Sequence, residues 1–263
     1  MHEFSWLHPR VVPLIVAHRG SSALAPENTL AAFRQALQDG ADAIELDVRL
    51  TCDNEVVVIH DAQLHRTTNG RGRVEDHSLA ELKRLNAGRW FHPSYDKERI
   101  STLADVFELV RGRIGMNIEL KSDRKPKHHY DLVDRCVQII RQYRAQSYVL
   151  ISSFHHHFIK HFKKQHPDIP GGLLVRPFTL EKLKTVSLAM SLHVEYIIYS
   201  GTSLRKSTVT RAHDRHLFVG EYTVNTRRRA LRSLRYKVDA IITDDPSRTR
   251  NILEIKTPPL RGH

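Results

Sequence analysis

The sequence contains little cysteine and no long apolar segment. Cys52 and Cys136 are its two cysteines among 263 residues, and neither belongs to a C-x-x-C pair. This argues against a disulfide scaffold and a thiolate zinc site, and it fits the reducing cytoplasm. The apolar run over 11–17 is broken by Pro13 and ends at His18, and no stretch approaches the ~18 apolar residues of a membrane span. We therefore expect a cytoplasmic protein without signal peptide or stable membrane insertion.

Acidic residues are also scarce. The 29 Asp and Glu residues are outnumbered by 41 Lys and Arg, which gives a net charge of +12 and favours anionic partners such as phosphates, nucleic acids or acidic lipid surfaces. A basic cluster, made of Arg227, Arg228, Arg229, Arg232 and Arg235, is the strongest indication of nucleic-acid binding. Its spacing surrounds a helix, and no zinc-finger, RNA-recognition or helix-turn-helix signature accompanies it. We interpret the cluster as a solvated helix face and expect no nucleic-acid partner.

Short apolar runs alternate with helix-like segments along most of the chain. This alternation is typical of parallel strands joined by crossover helices, and therefore of an α/β fold. The runs lie at 14–20, 43–50, 56–61, 115–121, 148–154, 171–175, 195–199, 217–225 and 239–245. Helix starts are indicated by Asn28, a candidate N-cap, and by capping-box patterns that begin at Ser78 and Thr102.

Nine strands are one more than a (β/α)₈ barrel contains. Since the five residues 51–55 are too few for a crossover helix, we expect runs 43–50 and 56–61 to form a hairpin. Such a hairpin places His60 level with Leu46, beside Glu45 and Asp47. Residues 62–100 contain many charges and one short helical pattern. We expect them to form a small insertion within a single domain that spans 1–263.

Three carboxylates fall within apolar strands. In AIELDV, side-chain alternation directs Glu45 and Asp47 to one face, and in NIELK it groups Glu119 with Lys121. Barrel interiors are normally apolar, and uncompensated buried carboxylates are costly, so a positive partner is expected among them. Oxygen ligands suit Mg²⁺ or Ca²⁺. The alternative is an ion-pair cluster with Lys121 and Arg49.

Two histidines follow apolar strands at the edge where barrel active sites lie. His18 precedes Arg19, and His60 precedes Asp61; among 18 histidines, neither is informative alone. Together with the three acids and Arg19, they supply the base, acid, cation site and phosphate neutralisation that phosphodiester cleavage requires. The consecutive histidines 155–157 point in different directions, so we interpret them as surface residues.

Several segments in order resemble the glycerophosphodiester phosphodiesterase family, over roughly residues 14–248. They are AHRGSSALAPENTLAAF (17–33), ADAIELDVRLTCDNEVVVIHD (41–61), LHRTTNGRG (64–72), NIELK (117–121), SSF (152–154), YTVN (222–225) and DAIITDDP (239–246). The H-R-G, E-x-D, H-D and E-x-K elements are specific in combination. Two positions depart from the family pattern: Tyr222 replaces a usual Trp, and Ser101 replaces a common Pro.

The resemblance implies a TIM barrel with an insertion after His60, and metal-dependent hydrolysis of glycerophosphodiesters to glycerol 3-phosphate and an alcohol. It also implies roles for individual residues: a catalytic pair, His18 and His60; metal carboxylates, Glu45, Asp47 and Glu119; phosphate-binding cations, Arg19 and Lys121; and pocket walls, Phe154 and Tyr222. The implied cofactor is a divalent ion, Mg²⁺ or Ca²⁺, and the implied partner is a small-molecule substrate.

A lysophospholipase D or a phosphoinositide-type phospholipase would use a similar barrel. Both act on lipid phosphodiesters at membranes and tend to need an apolar rim, and no amphipathic insertion is evident in the sequence. The preferred alcohol, the nucleophile and homo-oligomer formation are left open by the sequence.

Overall fold

The computed structural model describes residues 4–9, 12–121, 129–177 and 182–254. Eight parallel strands form a closed barrel, because the first strand pairs with both the second and the last. The strands are β1 (Leu14–Ala17), β2 (Ala43–Leu50), β4 (Gly115–Leu120), β5 (Val149–Ser153), β6 (Gly171–Val175), β7 (Tyr196–Ser200), β8 (Phe218–Tyr222) and β9 (Ala240–Thr243). The TIM-barrel prediction is confirmed.

The remaining strand, β3 (Val56–Val58), pairs antiparallel with β2 as predicted. Val48 lies opposite Val58, and the same register, extended by two residues, would bring His60 level with Leu46. The amide of Ile59 donates to the Asp47 carbonyl at 2.9 Å. The hairpin thus carries His60 to the carboxyl ends of the barrel strands, where TIM-barrel active sites form.

The described part of the chain also contains nine α-helices. They are α1 (Leu30–Gln38), α2 (Leu79–Leu82), α3 (Leu103–Val110), α4 (His129–Gln142), α5 (His156–Gln165), α6 (Lys182–Ser191), α7 (Lys206–His213), α8 (Arg227–Tyr236) and α9 (Pro246–Glu254). Within the residues described, no helix combines the length and apolar character needed to cross a membrane.

The predicted helix starts are partly correct. Capping boxes begin at Ser78 and Thr102 as expected. The prediction of an Asn28 cap is wrong, because the N-cap of α1 is Thr29, whose side chain accepts from the Ala32 amide. Asn28 instead adopts a left-handed backbone conformation with φ of 58°.

The main core lies between the barrel and its surrounding helices. The outward-facing Ile44, Leu46 and Val48 of β2 are fully buried there against helix residues such as Phe33 and Phe107. Burial of each such aliphatic side chain stabilises the folded protein by about 1.5–3 kcal/mol. Packing on this outer face fixes the rotation of β2, and so directs Glu45 and Asp47 into the barrel.

The amino-terminal segment closes the opposite end of the barrel. Trp6 is 1% exposed, donates its indole N–H to the Tyr148 carbonyl at 3.0 Å, and accepts from the Tyr196 hydroxyl at 2.8 Å. Phe4 lies so near Gly115 that a Cβ at this glycine would approach the Phe4 ring to 2.3 Å. The open end of the barrel is therefore the end at which the strands have their carboxyl termini.

The segment 62–100 leaves the barrel after β3 and contains α2 with two short 3₁₀ helices, Val74–Asp76 and Pro93–Tyr95. Leu64, Val74 and Leu82 pack with Val57 in a small cluster separate from the main core. The division of the chain into one domain with an insertion stays a prediction.

Candidate active site

Three buried carboxylates meet at the mouth of the barrel. Glu45 and Asp47 lie on β2, and Glu119 lies on β4 with its backbone directly opposite Asp47. The three side chains each offer one oxygen, and these oxygens all lie within 4.8 Å of one another. Side-chain alternation in two neighbouring strands explains this meeting, which the sequence predicted. We refer to Glu45, Asp47 and Glu119 as the acidic triad.

Two cations face the acidic triad. Lys121 Nζ lies 2.7 Å from Glu119 Oε1 and 3.2 Å from Asp47 Oδ1, and Arg19 Nε lies 3.1 Å from Asp47 Oδ2. The Arg19 amide also donates to Glu45 Oε2 at 2.9 Å. The ion pairs of the alternative interpretation are thus present with Lys121, but two cations facing three carboxylates leave one negative charge. Arg49 instead donates its Nε to the His60 carbonyl at 2.8 Å.

The backbone after β1 is shaped to present Arg19. Arg19 has φ of 56° and Gly20 has φ of 81°, both in the left-handed region. A Cβ on Gly20 would lie 2.6 Å from the Ala32 carbonyl carbon, so only glycine fits beside α1. This turn directs the Arg19 amide and guanidinium toward the acidic triad. It also explains why glycine directly follows Arg19 in the H-R-G element.

The acidic triad has more negative charge than its surroundings stabilise. Burial, together with the nearby Asp47 carboxylate, raises the pKa of Glu45 well above its usual range. Burial raises the pKa of Glu119 to about 7. Burial also acts against ionisation of Asp47, but the Lys121 and Arg19 cations outweigh it and hold the pKa of Asp47 well below normal. One further positive charge would stabilise the fully ionised cluster.

The donor atoms of the acidic triad fit a divalent metal ion. Asp47 Oδ1 and Glu119 Oε1 lie near Lys121 at ion-pair distances, yet neither accepts a hydrogen bond of good geometry. Asn117 Oδ1 beside them is also buried and without a hydrogen bond. Buried oxygens with unused lone pairs are rare unless something else binds them. A hard divalent cation binds such oxygens.

The two predicted histidines line the same cavity as Glu45 and Glu119 of the acidic triad, and each histidine pairs with a carboxylate. His18 Nδ1 lies 2.6 Å from Asp244 Oδ1, and His60 Nδ1 lies 2.6 Å from Asp61 Oδ1. When Nδ1–H donates to a carboxylate, Nε2 becomes the nitrogen available to a substrate. Burial lowers the pKa of His60, and this favours its neutral form.

An open cavity of about 410 Å³ connects these groups. It is lined by His18, Arg19, Glu45, His60, Asn117, Glu119, Lys121, Phe154, Leu174, Arg176, Pro177, Tyr222, Thr223 and Ile242. The Phe154 and Tyr222 rings meet edge to face at 6.0 Å, and the Tyr222 hydroxyl donates to the Val175 carbonyl at 2.8 Å. One part of the wall is thus aromatic, and Lys121 and Arg176 lie over the Phe154 ring at 5.7 and 5.0 Å from its centroid.

Residues 18–248 match the Glycerophosphoryl diester phosphodiesterase family. The chain belongs to this family. It is 38% identical over 243 residues to a glycerophosphodiester phosphodiesterase of Caldanaerobacter subterraneus, which covers 91% of this chain and 97% of that protein. A glycerophosphodiester phosphodiesterase of Bacillus altitudinis is 37% identical to this chain. The match covers 91% of this chain and 98% of that protein.

Solved structures show the same similarity. A phosphodiesterase from Oleispira antarctica, in complex with the product sn-glycerol-3-phosphate, superposes with a TM-score of 0.85 at 30% identity, over 92% of this chain and 97% of that one. A glycerophosphodiester phosphodiesterase from Agrobacterium tumefaciens gives a TM-score of 0.77 at 30% identity, over 89% and 97%. Similarity to the family thus extends over both the barrel and its mouth.

The structure adds residues to this candidate site that strand periodicity does not indicate. Asn28 Nδ2 donates to Asp47 Oδ2 at 2.8 Å, and the Asp47 amide donates to Asn28 Oδ1 at 3.2 Å. Asp244 accepts from Ser22 as well as from His18. Asp61 directly follows His60, and Asp244 lies within DAIITDDP, but the sequence alone indicated no anchoring role for either residue. These residues lie in loops whose side-chain directions do not follow strand periodicity.

Proposed function

We propose that this chain hydrolyses glycerophosphodiesters to glycerol 3-phosphate and an alcohol, with a divalent cation, Mg²⁺ or Ca²⁺, bound by Glu45, Asp47 and Glu119. The observation that carries the proposal is the acidic triad itself. Its three buried carboxylates face two cations. Two of them, Glu45 and Glu119, line the same cavity as His18 and His60, and each of these histidines is anchored by an acid. Family membership supports the substrate class, and the Oleispira antarctica relative contains the corresponding product.

His18 and His60 act as the general acid and base in this proposal. A neutral imidazole with Nδ1–H bonded to a carboxylate removes a proton at Nε2, and the carboxylate stabilises the imidazolium that forms. The lowered pKa of His60 favours the base at neutral pH. His18 then protonates the leaving alkoxide, with Asp244 holding its ring in place.

Arg19 and Lys121 bind the phosphate and stabilise the charge that develops on it. Both line the cavity and are anchored by acidic partners, so their positive groups are oriented before substrate arrives. A divalent cation held by Glu45, Asp47 and Glu119 would supply Lewis-acid polarisation of the phosphate and would lower the pKa of an attacking hydroxyl. Phe154 and Tyr222 form the aromatic wall against the glycerol carbons.

The direct test is hydrolysis of glycerophosphocholine, followed by ³¹P NMR, with chelated protein and with Mg²⁺, Ca²⁺ or Mn²⁺ restored separately. We expect glycerol 3-phosphate as the phosphorus product, no turnover after chelation, and recovery with at least one ion. A phosphomonoester of choline would contradict the assigned bond cleavage. Transient cyclic phosphate would identify a substrate hydroxyl as the nucleophile, whereas its absence throughout turnover would favour water.

Detergent-free conditions separate this proposal from the lipid-directed alternative. The cavity opens to solvent, so a water-soluble glycerophosphodiester needs no lipid surface to reach the acidic triad. Activity on lysophosphatidylcholine micelles with none on soluble glycerophosphocholine would contradict the proposal and support a lysophospholipase D.

A further inference from the structure

Arg66 lies in the segment 62–100, outside the barrel strands, and binds two carboxylates at once. Its Nη1 donates to Glu27 Oε2 at 2.9 Å, and its Nη2 donates to Glu27 Oε1 at 2.6 Å. Its Nε donates to Asp61 Oδ2. A planar guanidinium is suited to such a forked arrangement, because its donors have a fixed geometry that matches carboxylate oxygens.

Each of these carboxylates in turn holds a residue that the proposed function uses. Asp61 Oδ1 lies 2.6 Å from His60 Nδ1, and Glu27 Oε1 accepts from Arg19 Nη1 at 2.8 Å. Two chains of contacts therefore diverge from one guanidinium. One chain leads to the acid-base histidine, and the other leads to the phosphate-binding arginine.

The backbone that carries Arg66 is itself fixed. Leu64 is fully buried in the small apolar cluster of the segment. Thr68 donates its hydroxyl to the Leu64 carbonyl at 2.7 Å, and the same hydroxyl accepts from the Gly70 amide at 2.9 Å. Arg66 lies between these anchors, so its guanidinium is presented from a defined position although the side chain is 40% exposed.

We propose that Arg66 is a positioning residue that keeps the side chains of His60 and Arg19 in fixed positions relative to each other. It does so through Asp61, which contacts His60, and Glu27, which contacts Arg19. This inference rests on the proposed function, because it assigns those two residues to one reaction. Without Arg66, Asp61 and Glu27 each lose a cationic partner and gain rotational freedom. Misplacement of catalytic groups by ~1 Å costs up to about 100-fold in rate.

The first test compares Arg66→Gln and Arg66→Lys with Arg73→Gln. Arg73 is a matched control, since it lies in the same segment, pairs with Glu75 at 2.7 Å and is 34% exposed. We expect Arg66→Gln to lower kcat on glycerophosphocholine about 10- to 100-fold with KM changed less than about threefold. Arg66→Lys should restore only part of this loss, because one ammonium lacks the fork. Arg73→Gln should stay within about twofold of wild type.

A second arm asks whether Arg66 acts through its two partners. In a protein that carries both Asp61→Asn and Glu27→Gln, adding Arg66→Gln should change kcat by less than about twofold, since coupled residues are not additive. A full additional loss would overturn the proposal. So would Arg66→Gln with unchanged kcat, or a loss of the same size in Arg73→Gln.

The third arm needs no turnover and separates this inference from the proposed function. NMR of ¹⁵N-histidine-labelled protein should show a slowly exchanging His60 Nδ1 proton in wild type that broadens or is lost in Arg66→Lys. If wild type hydrolyses no glycerophosphodiester, the proposed function fails, and this signal alone decides the positioning role. An unchanged His60 signal in folded Arg66→Lys overturns it. If Arg66→Gln does not fold, Arg66→Lys and this signal decide.

Discussion

Replacement of Glu119 by Gln should stabilise the metal-free protein while removing its activity. The pKa of Glu119 rises from 4.5 to about 7 on folding, which corresponds to ~3 kcal/mol at about 1.4 kcal/mol per pKa unit. When folding raises the pKa of an acid, the free energy of unfolding is highest below the pKa of the unfolded state, here 4.5. It falls as the pH rises through the pKa of the folded state, here about 7. Gln resembles the protonated carboxyl and lacks this loss.

Urea unfolding of chelated protein tests this prediction. Glu119→Gln should be more stable than wild type by ~3 kcal/mol at pH 8.5 and by only ~1 kcal/mol at pH 5.5. Hydrolysis should fall by more than ~100-fold, because a metal ligand is lost. Comparing two proteins at each pH cancels the titration of all other groups that the substitution leaves unchanged.

Glu221→Gln is the matched control. Glu221 is buried, as Glu119 is, but Arg232 and Ser233 both donate to it. Removing its charge should destabilise the protein by about 1–3 kcal/mol at both pH values, because a partly buried Arg232 loses its partner. If Glu119→Gln behaved like Glu221→Gln at pH 8.5, the acidic triad would not carry excess negative charge, and the reasoning would be refuted.

Three further predictions follow from the same geometry. Metal affinity, measured by calorimetry, should fall at least about tenfold between pH 8 and pH 6, because Glu119 must lose its proton to bind; an unchanged affinity would argue against Glu119 as a ligand. Asp244→Asn should lower kcat about 100-fold or more with little change in KM, since it disturbs the His18 tautomer, and steady-state kinetics would show this. Tyr222→Ala should raise KM up to about tenfold while kcat stays near wild type, as expected for a pocket wall; a loss confined to kcat would contradict that role.

The regular parts of the site could be predicted because strand periodicity governs them. Alternation in β2 and β4 requires that Glu45, Asp47 and Glu119 share the inside of the barrel once their apolar neighbours face the helices. The short connection over 51–55 requires a hairpin, and its register brings His60 to the same place. These conclusions depend only on local geometry and on burial of apolar side chains.

The anchoring residues could not be predicted in the same way. His18 and Asp244 are 226 positions apart in the sequence, and their contact exists only because β9 closes the barrel against β1. Asn28 is of a residue type that often caps helices, but its left-handed backbone places its side-chain amide within hydrogen-bond distance of Asp47 instead. Arg66 lies in an irregular loop, where no periodicity indicates side-chain direction. Tertiary closure and loop conformation decide these contacts.

The most direct measurement of the central claim is anomalous diffraction from crystals grown with Mn²⁺. We expect one strong peak coordinated by oxygens of Glu45, Asp47 and Glu119, at about 2.1–2.5 Å, and loss of that peak in Asp47→Asn crystals. A Mn²⁺ peak elsewhere would contradict the metal site. So would hydrolysis that continues in chelator, because Lys121 and Arg19 alone would then neutralise the acidic triad.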